Sequence, residues 1–279
     1  MVKGYHCFFT ILWTLILLLT GCSSEVPTAS LWTDGAWILY DIQRIDTDGD
    51  KISGTLKVSS VGNEFIDGNP YHWIEMREDS QKGVTIKKFL AKEKENFNPR
   101  ESFIFWDDVQ KIIIQTNSET PESIPAQHLK RFAPTFIQSA KANRFGNAEN
   151  VSPAEFKELP EKNFSLNGSD VSSKGYHISR HTKSSINLGF LNLEDTTKAT
   201  TEYYISPNIP FGGIVSVKHE STITSINKTK PDQEPKPPVF WETRLTAKQY
   251  GMNGAKTQII GEPIEKQVLP FPFLKGDSK

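Results

Sequence analysis

The sequence predicts a mainly-β protein of the α+β class, and three observations predict it. Short runs rich in Val, Ile, Tyr, Phe and Trp recur along most of the chain, about eleven of them, divided by Gly, Asn, Asp and Pro turn signals. Helical periodicity is concentrated in one stretch, where Leu129, Phe132, Ala133, Phe136, Ile137 and Ala140 recur at three- and four-residue spacing. The length, 279 residues, suits one large domain able to bury its own core.

The first twenty-two residues set the cellular context. Residues 1–6 carry one lysine and no acid, and residues 7–19 are apolar except for Thr10 and Thr14. A positive start, a short apolar run and small residues after it describe an export signal. A membrane-spanning helix needs about 20 apolar residues, and this run is shorter. Leu19-Thr20-Gly21-Cys22 closes it, followed by Ser23. The tetrad resembles the bacterial lipobox. The resemblance implies that the Cys22 sulfur receives diacylglycerol and that Cys22 becomes the acylated first residue of the mature chain. Residues 1–21 are then the signal peptide, 22–34 a lipidated tether and 35–279 a single β-rich domain. In a Gram-negative cell, Ser23 after the cysteine resembles an outer-membrane sorting signal, so a periplasm-facing anchor in the outer membrane is expected; in any other cell, an anchor in the cell membrane.

Bulk chemistry excludes several classes. The formal charge is −1, which provides no global field for nucleic acid. The two cysteines are Cys7 and Cys22, both used before the folded domain begins. That domain therefore has no disulfide, no thiolate zinc ligand and no cysteine nucleophile.

The chain continues as a series of strands. Residues 35–45 (GAWILYDIQRI) and 52–61 flank Asp-Gly, which predicts a hairpin. The acid cluster Asp46-Thr47-Asp48-Gly49-Asp50 lacks the glycine and glutamate of a calcium loop, since Lys51 and Lys57 stand at those positions. A plain turn is expected there. Residues 62–70 read as a turn, 71–77 and 84–92 as strands. Residues 102–116 read as one bent strand or two pieces around Asp107-Asp108. Adjacent carboxylates in a strand point to opposite faces and do not converge on one atom. The helical stripe follows, interrupted by Pro125 and Pro134. Ser152-Pro153-Ala154-Glu155 reads as a capping box opening a short helix that Pro160 ends. Strands resume at 163–167, 176–181, 186–193, 200–206, 213–226, 239–250 and 256–260. His177 and His181 fall on one of them, about 13 Å apart at 3.3 Å per residue, too far to share a metal. Residues 228–238 (KTKPDQEPKPP) have nothing to bury and predict a solvated loop.

Residues 203–217, YYISPNIPFGGIVSV, resemble a strand–turn–strand segment of exported lipoproteins of the LolA/LolB-like, half-barrel type. Pro207 and Pro210 force an extended corner, and Gly212-Gly213 permit close backbone approach before a strand at Ile214. The resemblance implies a strongly curved antiparallel sheet wrapping one or two helices, with a concave face able to hold acyl chains. Leu129, Phe132, Phe136 and Ile137 are the helix residues expected to face that groove.

The function expected is non-catalytic: a membrane-anchored lipoprotein that holds a lipid, an acyl chain or a lipoprotein segment. The alternative is an assembly protein that docks another envelope protein through its sheet. No Gly-x-Ser-x-Gly elbow, HExxH helix, phosphate loop or dinucleotide glycine pattern occurs. No cofactor, metal site or nucleic-acid partner is expected.

Overall fold

Strand pairing organises the computed structural model almost completely. It describes residues 32–45, 48–92, 109–125, 150–151, 155–187, 192–229 and 237–265. These are 75% strand with no helix, so the described protein is all-β and the expected α+β half-barrel wrapping helices is overturned. The stripe at Leu129, Phe132, Phe136 and Ile137 lies outside the described residues, as does Asp107-Asp108. The predicted capped helix is corrected directly: from Glu155 the chain is a strand. Pro160 leaves such a helix less than two turns, below the length at which nucleation is repaid. Ten residues of pairing outweigh one N-cap of about 1 kcal/mol.

Thirteen strands make one sheet. They are β1 (Trp37–Ile45), β2 (Lys51–Ile66), β3 (Asn69–Ser80), β4 (Gly83–Lys92), β5 (Val109–Thr116), β6 (Glu122–Pro125), β7 (Asn150–Val151), β8 (Glu155–Leu166), β9 (Ser169–Asn187), β10 (Asn192–Ile205), β11 (Ile214–Asn227), β12 (Val239–Gly251) and β13 (Ile264–Glu265). Their order is β13-β6-β5-β4-β3-β2-β1-β12-β11-β10-β9-β7, with β8 also on β9. Most neighbours in sequence are neighbours in space; β1 meets β12 and joins two antiparallel meanders, while the two-residue strands β13 and β7 add to β6, in parallel, and to β9. The expected β1–β2 hairpin forms. Two further hairpins turn on Asp67-Gly68 and Asn167-Gly168, all four residues at positive φ, the backbone that a two-residue turn between twisted strands requires. The strand read at 186–193 is instead the end of β9 and the start of β10. Pro160 falls at the register shift of β8 against β9, where a missing N–H costs no ladder bond.

Alternation selects the core face. On β1, Ile38, Tyr40, Ile42 and Arg44 are buried, and on β12, Trp241, Thr243, Leu245 and Ala247. Val58, Ile74, Phe89 and Ile112 continue the same face across β2 to β5. Tyr40 donates its hydroxyl hydrogen to the Ile214 carbonyl at 2.9 Å, tying β1 to the start of β11.

The opposite face of β1–β6 is crossed by residues 252–263, read from sequence partly as a strand. The Ala255 N–H donates to the Gly35 carbonyl. Glu75 accepts from the Thr257 hydroxyl at 2.6 Å and from the Gln258 N–H at 3.0 Å. Gln115 pairs with both backbone groups of Ile260. The strap thus satisfies its backbone with side chains of β3 and β5, which explains its lack of strand pairing.

Beyond Asn227 the predicted loop begins two residues late. The Lys228 N–H donates to the Asn192 carbonyl, and the Thr229 hydroxyl accepts from the Asn192 N–H. Replacing residues 230–238 with a short Gly-Ser linker, while keeping Lys228 and Thr229, is expected to leave the melting temperature within about 2 °C, because that composition buries nothing. Thermal unfolding followed by circular dichroism checks this.

Candidate functional site

Register, rather than sequence proximity, assembles a site on the buried face. Ile42, Leu245, Val217, Tyr203 and Tyr176 are successive partners across β1, β12, β11, β10 and β9. They make an apolar row, reinforced by Tyr176 stacking on Tyr203 at 5.3 Å and Phe156 against Tyr176 at 5.4 Å. One step along each strand on the same face comes Arg44, Thr243, His219, Thr201 and Ile178. The next row is Trp241, Ser221, Ala199 and Arg180. Two polar rows therefore border an apolar one, on a face that the core otherwise fills with hydrocarbon.

Each polar group has a physical state. Arg44 forms an ion pair with Glu78. Between them on β2 stands Gly54, where an added Cβ would lie 2.1 Å from the Asp79 carbonyl oxygen. Burial pushes the Lys87 ammonium down to about 8, with Glu78 opposing and Arg44 adding to the shift. The Arg180 guanidinium is likewise lowered by burial. His219 is wholly buried, and burial brings its imidazole down to about 4 against a small opposing pull from Glu220. It is therefore neutral at physiological pH, with Nδ1 2.9 Å from the Thr201 hydroxyl. His219 Nε2, Trp241 Nε1 and Arg44 Nε have no hydrogen-bond partner.

The ends of this half of the sheet are also tied. The tip of the β8–β9 hairpin runs past the last β9–β10 pair, Lys174 with Ile205, and reaches β12. There the Asn167 N–H donates to the Lys248 carbonyl, and the Asn167 side chain pairs with both backbone groups of Tyr250. These contacts tie the β8–β9 hairpin to β12, and in the corner at 206–213 Ile209 and Phe211 are buried. Strand β11 starts at Ile214, as the residues of that corner predict.

Cys22, Leu129, Phe132, Phe136 and Ile137 all lie outside the described residues. His177 and His181 lie on β9, as expected; His177 faces Glu202 at 3.6 Å. Among the described residues no cluster of His, Cys, Asp or Glu could hold a metal ion. The rows through Arg44, His219 and Trp241 were missed from sequence. Their only local signal is a polar residue at an inward position of each strand, such as His219 in the run IVSVKHES.

No protein-family model matches the chain, and the search of curated proteins returns no match. Among solved structures, a "putative lipoprotein" from Parabacteroides distasonis is 9% identical and covers 81% of this chain and 100% of its own, at a TM-score of 0.31. A likeness at that score assigns neither fold nor function.

Proposed function

We propose that this chain is an envelope lipoprotein, anchored through a lipidated Cys22, that holds an acyl chain or a lipid without chemically changing it. The observation that carries the anchor is the Leu19-Thr20-Gly21-Cys22 tetrad at the end of a short apolar run. What supports the ligand class is the apolar row Ile42, Leu245, Val217, Tyr203 and Tyr176 on the core face of the sheet. An acyl chain laid along such a row gains roughly 0.8 kcal/mol per buried methylene. In a Gram-negative cell, Ser23 favours the outer membrane, facing the periplasm.

A second reading, docking of another envelope protein through the sheet, is favoured by Ile260 and Ile264. These side chains are mostly exposed where the strap meets the β6–β13 edge. Unpaired edges and exposed aliphatic groups are sites for another chain.

The test is intact mass of the full chain purified from membranes. Expected is a chain beginning at Cys22 with diacylglycerol and an N-acyl group. The Cys22→Ser chain should keep its signal and carry no lipid. An unlipidated wild-type chain would overturn the anchor. Native mass spectrometry of the same sample separates the two binding readings: a co-purifying lipid supports the first, a protein partner the second.

A further inference from the structure

We infer that the polar rows at one end of the buried face form a subsite for an oxyanion, the carboxylate or phosphate head of a single-chain amphiphile. The inference rests on the acyl-binding reading above and names the end of the ligand that reading leaves open.

Three atoms carry the argument. Arg44, His219 and Trp241 are each more than nine-tenths buried. Arg44 Nε, His219 Nε2 and Trp241 Nε1 have no hydrogen-bond partner. Buried polar groups in folded proteins are almost always paired, so an unpaired one calls for a specific cause. Here there are three, and register groups them. Arg44 and His219 are the two cross-strand partners of Thr243, which places their Cα atoms within about 10 Å of each other. Trp241 lies two residues from Thr243 on the same face of β12, about 7 Å away. Elsewhere among the described residues, Ser60 Oγ on β2 and Asp195 Oδ1 on β10 are also unpartnered, on strands well apart in the sheet order.

The donor set defines what is missing. An indole N–H and a guanidinium N–H can only donate. The Thr201 hydroxyl lies 2.9 Å from His219 Nδ1; when it donates there, Nε2 carries the hydrogen and becomes the third donor. Three donors and no acceptor describe a seat for oxygen atoms bearing negative charge. Two further cations of the described residues lie on this face: Lys87, whose charge interacts with both Glu78 and Arg44, and Arg180 at the far end of the Trp241 row, while Glu78 and Asp195 are carboxylates on it. The next row is hydrocarbon, Ile42, Leu245 and Val217, so a head seated on the donors leads its tail directly onto the apolar row. A neutral head would satisfy fewer donors and leave the rest buried and unpaired.

The test is isothermal titration of the full chain, held in amphipol, with decanoate, decyl phosphate and decanol. The tails are matched and only the heads differ. Expected is binding of decanoate or decyl phosphate at least ten-fold tighter than decanol, and the tighter of the two identifies the head. The Trp241→Phe variant removes one N–H and keeps a ring. It should weaken the anionic ligand about five-fold and leave decanol unchanged, and His219→Phe should act in the same direction. Equal binding of decanol and both anions would overturn the subsite, with water filling the donors, while leaving acyl binding intact. No binding of any of the three would overturn the acyl-binding reading and the subsite with it. The wild-type comparison alone decides the matter should either variant fail to fold.

Discussion

Gly213→Ala is expected to destabilise the protein by about 3 kcal/mol, the sum of a left-handed backbone cost and a steric conflict. Gly213 has a φ of +74° and ends the corner between β10 and β11. The Ser206 N–H donates to the Gly213 carbonyl at 2.8 Å, closing that corner. A Cβ on Gly213 would lie 2.2 Å from the Ser206 carbonyl oxygen. That contact is to backbone, so no rotamer change relieves it. The corner carries Ile209 and Phe211 into the core, and any shift that admits the methyl group also moves them. Gly68→Ala separates the two contributions. Gly68 has a φ of +76° but an added Cβ there would meet nothing within 4 Å, so only the backbone cost of about 1 kcal/mol remains. Thermal melts of the two variants measure the difference. A loss of about 3 kcal/mol corresponds to a fall near 10 °C for a domain of this size. Equal effects would show that the corner relaxes around the methyl group.

Much of the sheet was legible in the sequence, and for a definite reason. Alternation of apolar and polar residues is local, so β1, β3, β4, β11 and β12 announce themselves in WILYDIQRI or VFWETRLTAKQYG. Even the face is legible, because side-chain period is fixed at two. What alternation does not carry is the neighbour. Nothing near Trp37 says that it pairs with Gly251, and the row through Arg44, Thr243, His219 and Thr201 exists only because of that long-range pairing. Each of these residues looks alone in its own strand. The capping-box reading failed for a related reason: Ser152-Pro153-Ala154-Glu155 is a local signal, and the pairing of β8 along β9 overrode it. The strap was misread because residues 256–260 have β-type composition, while the groups that bind its backbone, Glu75 and Gln115, lie more than a hundred residues away.

The polar row also makes stability depend on pH, and His219 fixes the direction. In the fold its pKa is lowered from 6.5 to about 4, chiefly by burial. The unfolded chain therefore binds a proton in the window between those values and the folded chain does not. Stability is complete above about 6.5, falls as pH drops through the window and is fully lost to this group below about 4. The difference amounts to about 3 kcal/mol at 1.36 kcal/mol per unit. The physical content is simple. An imidazolium at this place would stand two strands from the Arg44 cation, buried away from solvent and with Thr201 on one nitrogen only. Glu220 attracts the cation from the same strand, but its effect is smaller than the cost of burial. The measurement is urea unfolding of the full chain in amphipol at pH 7, 6, 5 and 4.5, repeated with His219→Gln. Other acid-sensitive groups act equally in both chains and cancel in the comparison. The wild type is expected to lose about 2 to 3 kcal/mol more than the variant across that range. Parallel curves would show that folded and unfolded chains bind the His219 proton equally, and so that burial does not lower its pKa.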